Sequence, residues 1–369
     1  MSFVGPADAR LFAKPGVERS ASRPRGLLPA GTARYPGKKA RCSFRAAKCV
    51  YGGIVNNEAL ILDGRSAAIL VFDVGGSHMA ASLFDPRSRS IGTVRDLRVL
   101  PDGEPERFFT TFESLVGITL PAPAAAAGFA IAIPNPFDYE RGISHMQHKF
   151  QSLYRMDLRR ELSQRLSCPP EQIHFLNDAA ASLIGEMQQG GAVGAKRAIG
   201  ITLGTGVGSA FAIDGKIVAD GQGVPSGGEI WNQSYRDGIV EDFISTQAIQ
   251  RIFEELTGKS SEVRDIASSA AHRQEARQTF ERFGAELGKV LRQTCITFAP
   301  ERIVVGGGIA RAADHFLAPA KEQLGDFQDR LFVSELFERA PLIGAGVSWM
   351  NRNGAGRRSD DRDRATEQV

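Results

Sequence analysis

The chain has 369 residues, 42% of them hydrophobic and 24% charged, values of an ordinary globular protein long enough for about two packed domains. No apolar run approaches the roughly 18 residues that a membrane span needs, and no N-terminal apolar segment resembles a secretory signal, so no membrane partner and a cytoplasmic location are expected. The net charge of +3 is uneven: residues 1–50 hold 11 Lys or Arg against 2 acidic residues, and the rest of the chain carries 34 basic and 40 acidic ones.

The basic head, with SASRPRGLLPAGTARYPGKKAR at its centre, has neither helical nor strand period and too few large apolar residues to offset its ordering entropy. Residues 1–65 are therefore expected to form a disordered basic extension. Its composition fits a polyanion tether or a transit-like segment, and equally a solvated tail or an over-extended reading frame. Cys42, Cys49, Cys168 and Cys295 lack CxxC pairing and read as reduced structural thiols. Residues 353–369 are poor in apolar side chains and are expected to be a loose tail.

Ordered structure is expected from about Ser66. AAILVF from Ala67 has strand length and stops at Asp73-Val74-Gly75-Gly76-Ser77, and HMAASLF from His78 ends in the turn cluster Asp85-Pro86-Arg87-Ser88. This predicts a strand, a tight Gly-Gly turn and a second strand, with no room for a helix. Further on, Ile173-His174-Phe175-Leu176 leads into Asn177-Asp178 and the small-residue run AAASLIGEM. That pattern sets Asp178 at a strand-to-helix corner, where it is either a helix cap or a general base for a hydroxyl proton.

The stretch LGTGVGSAFAIDGKIV, Leu203 to Val218, repeats the first arrangement. AIGITL enters the glycines, SAFAI leaves them, and Asp214-Gly215 is the dipeptide of a two-residue hairpin turn. A dinucleotide fingerprint needs a helix after the glycine turn, and a P-loop needs a closing Lys-Ser or Lys-Thr pair. Neither is present. Backbone N–H groups of such β-turns can still converge on an anion, with Ser77 or Thr205 adding a hydroxyl, and two turns in one chain suggest a duplicated fold with a phosphate clamp on each side of a cleft.

Phe280, Phe283, Leu287, Val290 and Leu291 recur at spacings of three and four, as the core face of an amphipathic helix. After them RIVVGGGIA, Arg302 to Ala310, followed by AADHFLAPAKEQL, reads as strand, glycine turn and helix, suited to a flat or anionic ligand against its backbone.

Taken together, DVGGS at 73–77, ND at 177–178, LGTGVGS at 203–209, GGE at 227–229 and GGGIA at 306–310 resemble the ROK sugar kinases of the actin, hexokinase and heat-shock ATPase superfamily. The resemblance runs in order from about Ala67 to Asn351. It implies an α/β fold of two ribonuclease-H-like domains around an interdomain cleft that closes on hexose and MgATP. The first would span 66–188 with the helix 341–352 packed back onto it, and the second 189–340.

By the same resemblance Asp73 acts near the Mg2+, through water, and Gly75, Gly76 and Ser77 contact phosphates. Asp178 is the catalytic base toward the sugar 6-hydroxyl, and Asn177 binds neighbouring hydroxyls. Gly204, Thr205 and Gly206 form a second phosphate loop, while Gly307 and Gly308 border the adenosine. A homodimer is the family expectation.

The chain departs from the family in GGEIWNQSYRDGIVEDFIS, Gly227 to Ser245. The family's Gly-His and zinc-holding cysteine cluster are missing, so no zinc is expected and the loop should be held by packing of Trp231 and Tyr235. Glu229 and Glu241 remain suitable acceptors for sugar hydroxyls, and Asn232 stands where the histidine would be. PNPFDYERGISHMQHKF, Pro134 to Phe150, is similar to the family's Pro-Gly-Pro sugar loop, with Asn135 replacing the glycine. His145 and His148 line the pocket, or are solvated or core histidines. The resulting expectation is an ATP-dependent hexose kinase with glucose as first substrate. The alternatives are a non-catalytic sugar-sensing regulator, a polyphosphate-dependent glucokinase and a sugar-independent ATPase. Residues 1–66 show no helix-turn-helix, so no nucleic-acid partner is expected.

Overall fold

A computed structural model describes residues 68–120, 126–147 and 149–366, with side chains to Asn353. The expected basic extension, and with it Cys42, Cys49 and His148, lies outside the described residues.

The chain opens with the hairpin β1 (Ile69–Val74) and β2 (His78–Asp85), then β3 (Ser90–Ile91) and β4 (Arg95–Arg98). Helix α1 (Pro105–Thr119) starts with proline in its first turn, where the missing N–H is not needed. Its Phe108, Phe109, Phe112, Leu115 and Val116 recur at helical spacing and are buried, with Phe112 stacked on Phe72 of β1 at 4.1 Å. Next come β5 (Gly128–Ile133), β6 (Phe137–Asp138), β7 (Ile143–Ser144), α2 (Leu158–Leu166), β8 (Ile173–Asn177) and α3 (Asp178–Gln189).

The second half repeats the opening with β9 (Arg197–Leu203), β10 (Val207–Ile213) and β11 (Lys216–Val218). Asp214 and Gly215 between β10 and β11 have φ of 48° and 76°, the left-handed pair that a tight hairpin requires. A loop carrying β12 (Ser234–Tyr235) and β13 (Gly238–Ile239) leads to the helices α4 (Glu241–Ile244), α5 (Thr246–Thr257), α6 (Val263–Ser269) and α7 (Gln274–Phe298). The chain closes with β14 (Arg302–Gly306), α8 (Ala313–Leu324), β15 (Leu331–Val333) and α9 (Arg339–Thr366). The five residues expected on the core face of one helix, Phe280, Phe283, Leu287, Val290 and Leu291, are all buried on α7.

One sheet has the order β3-β2-β1-β5-β8, with β4 also on β2, and the other β11-β10-β9-β14-β15. In each, an antiparallel pair is followed by strands added in parallel, β1 with β5 and β5 with β8 in the first, β9 with β14 and β14 with β15 in the second. This is the duplicated α/β arrangement that the two glycine hairpins implied. Both faces of the central strands are covered, so they read as continuous apolar runs. On β1, Leu70, Phe72 and Val74 join one core cluster while Ile69 and Val71 join another with Leu342, Ile343 and Ala345 of α9.

Helix α9 therefore returns to the first sheet and crosses α3 at close range. A Cβ on Gly344 would land on the Ala181 carbonyl, and one on Gly185 would land on the Ala340 carbonyl, so the two glycines let the backbones touch. The helix also continues to Thr366, through residues that composition assigned to a loose tail. That segment has no proline to stop it, and a polar helix needs no apolar stripe to continue from a packed one. No helix of the described residues is long and apolar enough to cross a membrane.

Gly344→Ala forces a methyl into backbone that cannot yield. A loss of about 2 kcal/mol is expected, read as a lower urea midpoint at unchanged slope. An unchanged midpoint would contradict the close crossing.

Candidate active site

Asp73 and Asp178 reach the same edge of the first sheet. In the parallel register Asp73 is level with Ala132 of β5, and Ile133 is level with Asn177 of β8. Asn177, not Asp178, caps α3: its Oδ1 accepts the Ala180 N–H at 2.9 Å. Asp178 occupies the first helical position, where the positive end of the helix dipole favours a carboxylate. Its Oδ1 accepts from Ala179 N–H at 2.9 Å and from Asn177 Nδ2 at 3.1 Å, and no partner is described for Oδ2. The helix cap is thus Asn177, and one carboxylate oxygen of Asp178 is left without a described partner.

Both carboxyls are half-buried and both are perturbed. Burial, reinforced by the neighbouring Asp178, pushes Asp73 up to about 7. Burial also raises Asp178, opposed by the positive charge of Lys149 and the Ala179 N–H, and Glu229 raises it further. Two acids that cannot comfortably ionise together, in a cleft, form the environment in which acid-base and metal-dependent chemistry is done. Lys149 could not be assigned from spacing. It lies in a loop pinned by the fully buried Phe150, and only the fold brings its charge to Asp178.

The two glycine turns divide their N–H groups between closing the turn and leaving donors unused. Gly75 N–H bonds His78 O at 2.9 Å and Gly204 N–H bonds Gly206 O at 3.0 Å. These two expected phosphate contacts are therefore spent within their turns, whereas among the described hydrogen bonds none uses the N–H of Gly76, Ser77, Thr205 or Gly206. Ser77 Oγ rests 3.0 Å from His78 Nδ1. The second turn is braced from below. Thr246 donates its N–H and its Oγ1 to Gly204 O, at 2.9 and 2.8 Å, and Val207 N–H donates to Glu241 Oε2 at 2.8 Å. Glu241 is thus joined to the second glycine turn, while its expected companion Glu229 is joined to Asn135 of the loop after β5.

Gly307 comes to the same place from β14. It has φ of 84°, and a Cβ there would meet the backbone of Leu203, so only glycine lets the third turn rest on the entry to the second. Gly308 follows with open space where a Cβ would be.

The loop Pro134 to Phe150 supplies residues to which spacing gives no role. Asn135 Nδ2 donates to Glu229 Oε1, Tyr139 O–H donates to Asn135 Oδ1 at 2.7 Å, and Asn177 Nδ2 lies 3.4 Å from the Tyr139 oxygen. Trp231 Nε1 donates to Glu229 Oε2 at 2.8 Å. Asn232 is exposed and has no described hydrogen bond. His145 is likewise exposed. The loop that lacks cysteines is held by side chains: Tyr235 meets Phe243 edge-to-face at 5.1 Å and donates to Glu286 Oε2 at 2.8 Å, and Arg236 pairs with the same carboxylate at 2.7 Å. The role expected of Tyr235 is thus met by packing and one charged hydrogen bond.

The raised pKa of Asp73 has a measurable sign. The folded chain holds this proton more tightly than the unfolded chain, so stability falls as pH climbs from the ordinary aspartate value of 3.8 towards about 7. Asp73→Asn removes that descent. Thermal midpoints at pH 5 and pH 8 should lie closer together in the variant than in the wild type; an equal gap would refute the strained carboxylate pair.

Residues 69–346 match the ROK family. A glucokinase of Thermotoga maritima is 27% identical over 304 residues, covering 74% of this chain and 94% of that one. In structure, a ROK family glucokinase from Streptomyces griseus, in complex with glucose and AMPPNP, aligns with a TM-score of 0.63 at 19% identity over 76% of this chain and 98% of that one. A ROK family transcriptional regulator, homolog of the E. coli MLC protein, aligns with a TM-score of 0.63 at 17% identity over 77% and 78%. The fold is the actin-like pair of α/β domains, and the chain belongs to the ROK family.

Proposed function

We propose that the protein is an ATP-dependent hexose kinase that phosphorylates the 6-hydroxyl of its sugar, with glucose as the first substrate. The observation that carries the reading is the unpartnered Oδ2 of Asp178, beside Asp73 and between two glycine turns with unused N–H donors. A sensor needs to hold a sugar, but it has no need for two destabilising carboxyls at the edge of a phosphate clamp. The relationship to a glucokinase along almost its full length supports the same reading.

In this mechanism Asp178 accepts the proton of the 6-hydroxyl as its oxygen attacks the γ-phosphorus, and the bond from that phosphorus to the bridging oxygen breaks with its electrons leaving on ADP. Asn177 and Glu229 hold the other hydroxyls. The N–H groups of Gly76, Ser77, Thr205 and Gly206 bind the phosphates, so negative charge meets fixed donors that need no reorganisation. Gly307 and Gly308 offer bare backbone to the adenosine. Asp73 suits Mg2+, directly or through water, because a cation would offset the burial and the neighbouring Asp178 charge that raise its pKa. Bound there, the metal would neutralise phosphate charge. Helix α3 carries Asp178 out of the first half directly into the chain of the second, so closure around the sugar moves the base with it.

The test is ADP release with MgATP, and with polyphosphate as alternative donor, against glucose, mannose, fructose, allose, N-acetylglucosamine and N-acetylmannosamine. Turnover on one sugar with ATP, falling by about 10³-fold in Asp178→Asn, is expected. If no sugar stimulates turnover and Asp178→Asn matches the wild type, the protein is a sensor or a sugar-independent ATPase.

A further inference from the structure

Asn135 stands at the middle of Pro134-Asn135-Pro136, where the sugar loop of the resembled family has glycine, so this chain carries a side chain at a position that normally has none. That side chain crosses the cleft. Its Nδ2 donates to Oε1 of Glu229, a residue between β11 and β12 of the second half. The orientation of the amide is fixed by the carboxylate, which can only accept, so a flipped amide would set oxygen against oxygen. Tyr139 O–H then donates to Oδ1 at 2.7 Å, with the Ile133 carbonyl a second acceptor at 3.1 Å.

The second oxygen of Glu229 accepts from Trp231 Nε1 at 2.8 Å, and the Tyr139 oxygen continues to Asn177 Nδ2 at 3.4 Å. An unbroken line of polar groups thus runs from Trp231 through Glu229, Asn135 and Tyr139 to Asn177 and Asp178. Asn232, expected to replace the missing histidine beside Glu229, is exposed to solvent. The amide that meets Glu229 comes from the opposite half of the molecule.

We propose that Asn135 is a specificity-determining residue, a filter that admits a hexose presenting a free hydroxyl to Glu229 and rejects one presenting an acetamido group there. The inference rests on the hexose-kinase reading. A hydroxyl joins this network without displacing anything, because each oxygen of Glu229 keeps a second lone pair after accepting from Asn135 or Trp231. An acetamido group brings additional heavy atoms into volume that the Asn135 amide fills. Pushing the amide aside would strip Glu229 of a donor and leave a polar group in the cleft without a partner. Tyr139 is a positioning residue in this scheme: it holds the amide and does not meet the sugar.

The experiment compares kcat/KM for glucose with N-acetylglucosamine, and for mannose with N-acetylmannosamine, in the wild type, Asn135→Gly and Tyr139→Phe, with KM for ATP measured in each. The wild type should favour the plain sugars. Asn135→Gly should shift the ratio towards the acetamido sugars by at least about 10-fold, chiefly through the two sugar KM values, with KM for ATP unchanged. Tyr139→Phe, which frees the amide to turn, should shift it the same way by less. Should Asn135→Gly not fold, Asn135→Ser is read on the same ratio. A wild type that prefers acetamido sugars, or a ratio that does not move in the variants, would overturn the filter while leaving the kinase reading intact. A wild type that transfers phosphate to no sugar removes the kinase reading. The filter is then judged by the ratio of Kd values from tryptophan fluorescence titration, Trp231 being bonded to Glu229, and failure to bind either sugar overturns it too.

Discussion

Parallel pairing of β1 with β5 and of β5 with β8 aligns Asp73 with Ala132 and Asn177 with Ile133, so two acids far apart in sequence leave the sheet at one carboxyl edge. Everything chemical in the molecule depends on that register. Side chains alternate along a strand, and a slip of one residue would turn Leu70, Phe72 and Val74 out of the core they share with α1 and turn Asp73 into it. The apolar faces of β1 therefore enforce the position of the acid at its end. Burial raises the pKa of both carboxyls, with the Asp178 charge adding to it at Asp73 and the Glu229 charge at Asp178, and that cost is borne by a sheet buried on both faces.

The second half supplies what the first lacks. Its glycine turn offers further N–H donors, and its position is locked by contacts from three directions: Thr246 onto Gly204, Val207 onto Glu241, and Gly307 onto Leu203. A turn held this firmly would lose little ordering entropy on binding the phosphates proposed for it. Between the halves the Asn135 to Glu229 contact and the buried Ser334 to Glu186 contact join residues far apart in the chain. In the first half α3 is anchored by its crossing with α9 at Gly185 and Gly344, so Asp178 stands on a helix that packing holds still.

The legible parts of the sequence were those governed by local chemistry. Apolar runs of strand length ending at Asp73 or Leu203, the Asp214-Gly215 turn and the spacing of Phe280 to Leu291 each carry their structure within a few residues, and each forms the element expected. The strand-to-helix corner at Asp178 was legible, but whether Asn177 or Asp178 capped the helix was not, because both side chains can cap. Contacts across the cleft left no local trace. Tyr139, Lys149 and the Asn135 amide act through partners up to 94 positions away, and Glu241 read as a sugar ligand because its use by Val207 N–H is visible only in three dimensions. The continuation of α9 past residue 352 was missed for a related reason: polar residues without proline permit helix without demanding it.

In the proposed mechanism the raised carboxyl of Asp178 takes the proton from the sugar, and the pH dependence of kcat/KM for the hexose is the measurement that reads that step. A rising limb is expected whose apparent pKa lies above the ordinary carboxylate range, because burial and then the Glu229 charge raise Asp178, with Asp73 titrating in interaction with it. A profile flat from about pH 5 to pH 9 would contradict it, since Asp178 would then titrate as an ordinary exposed acid or take no part in the transfer.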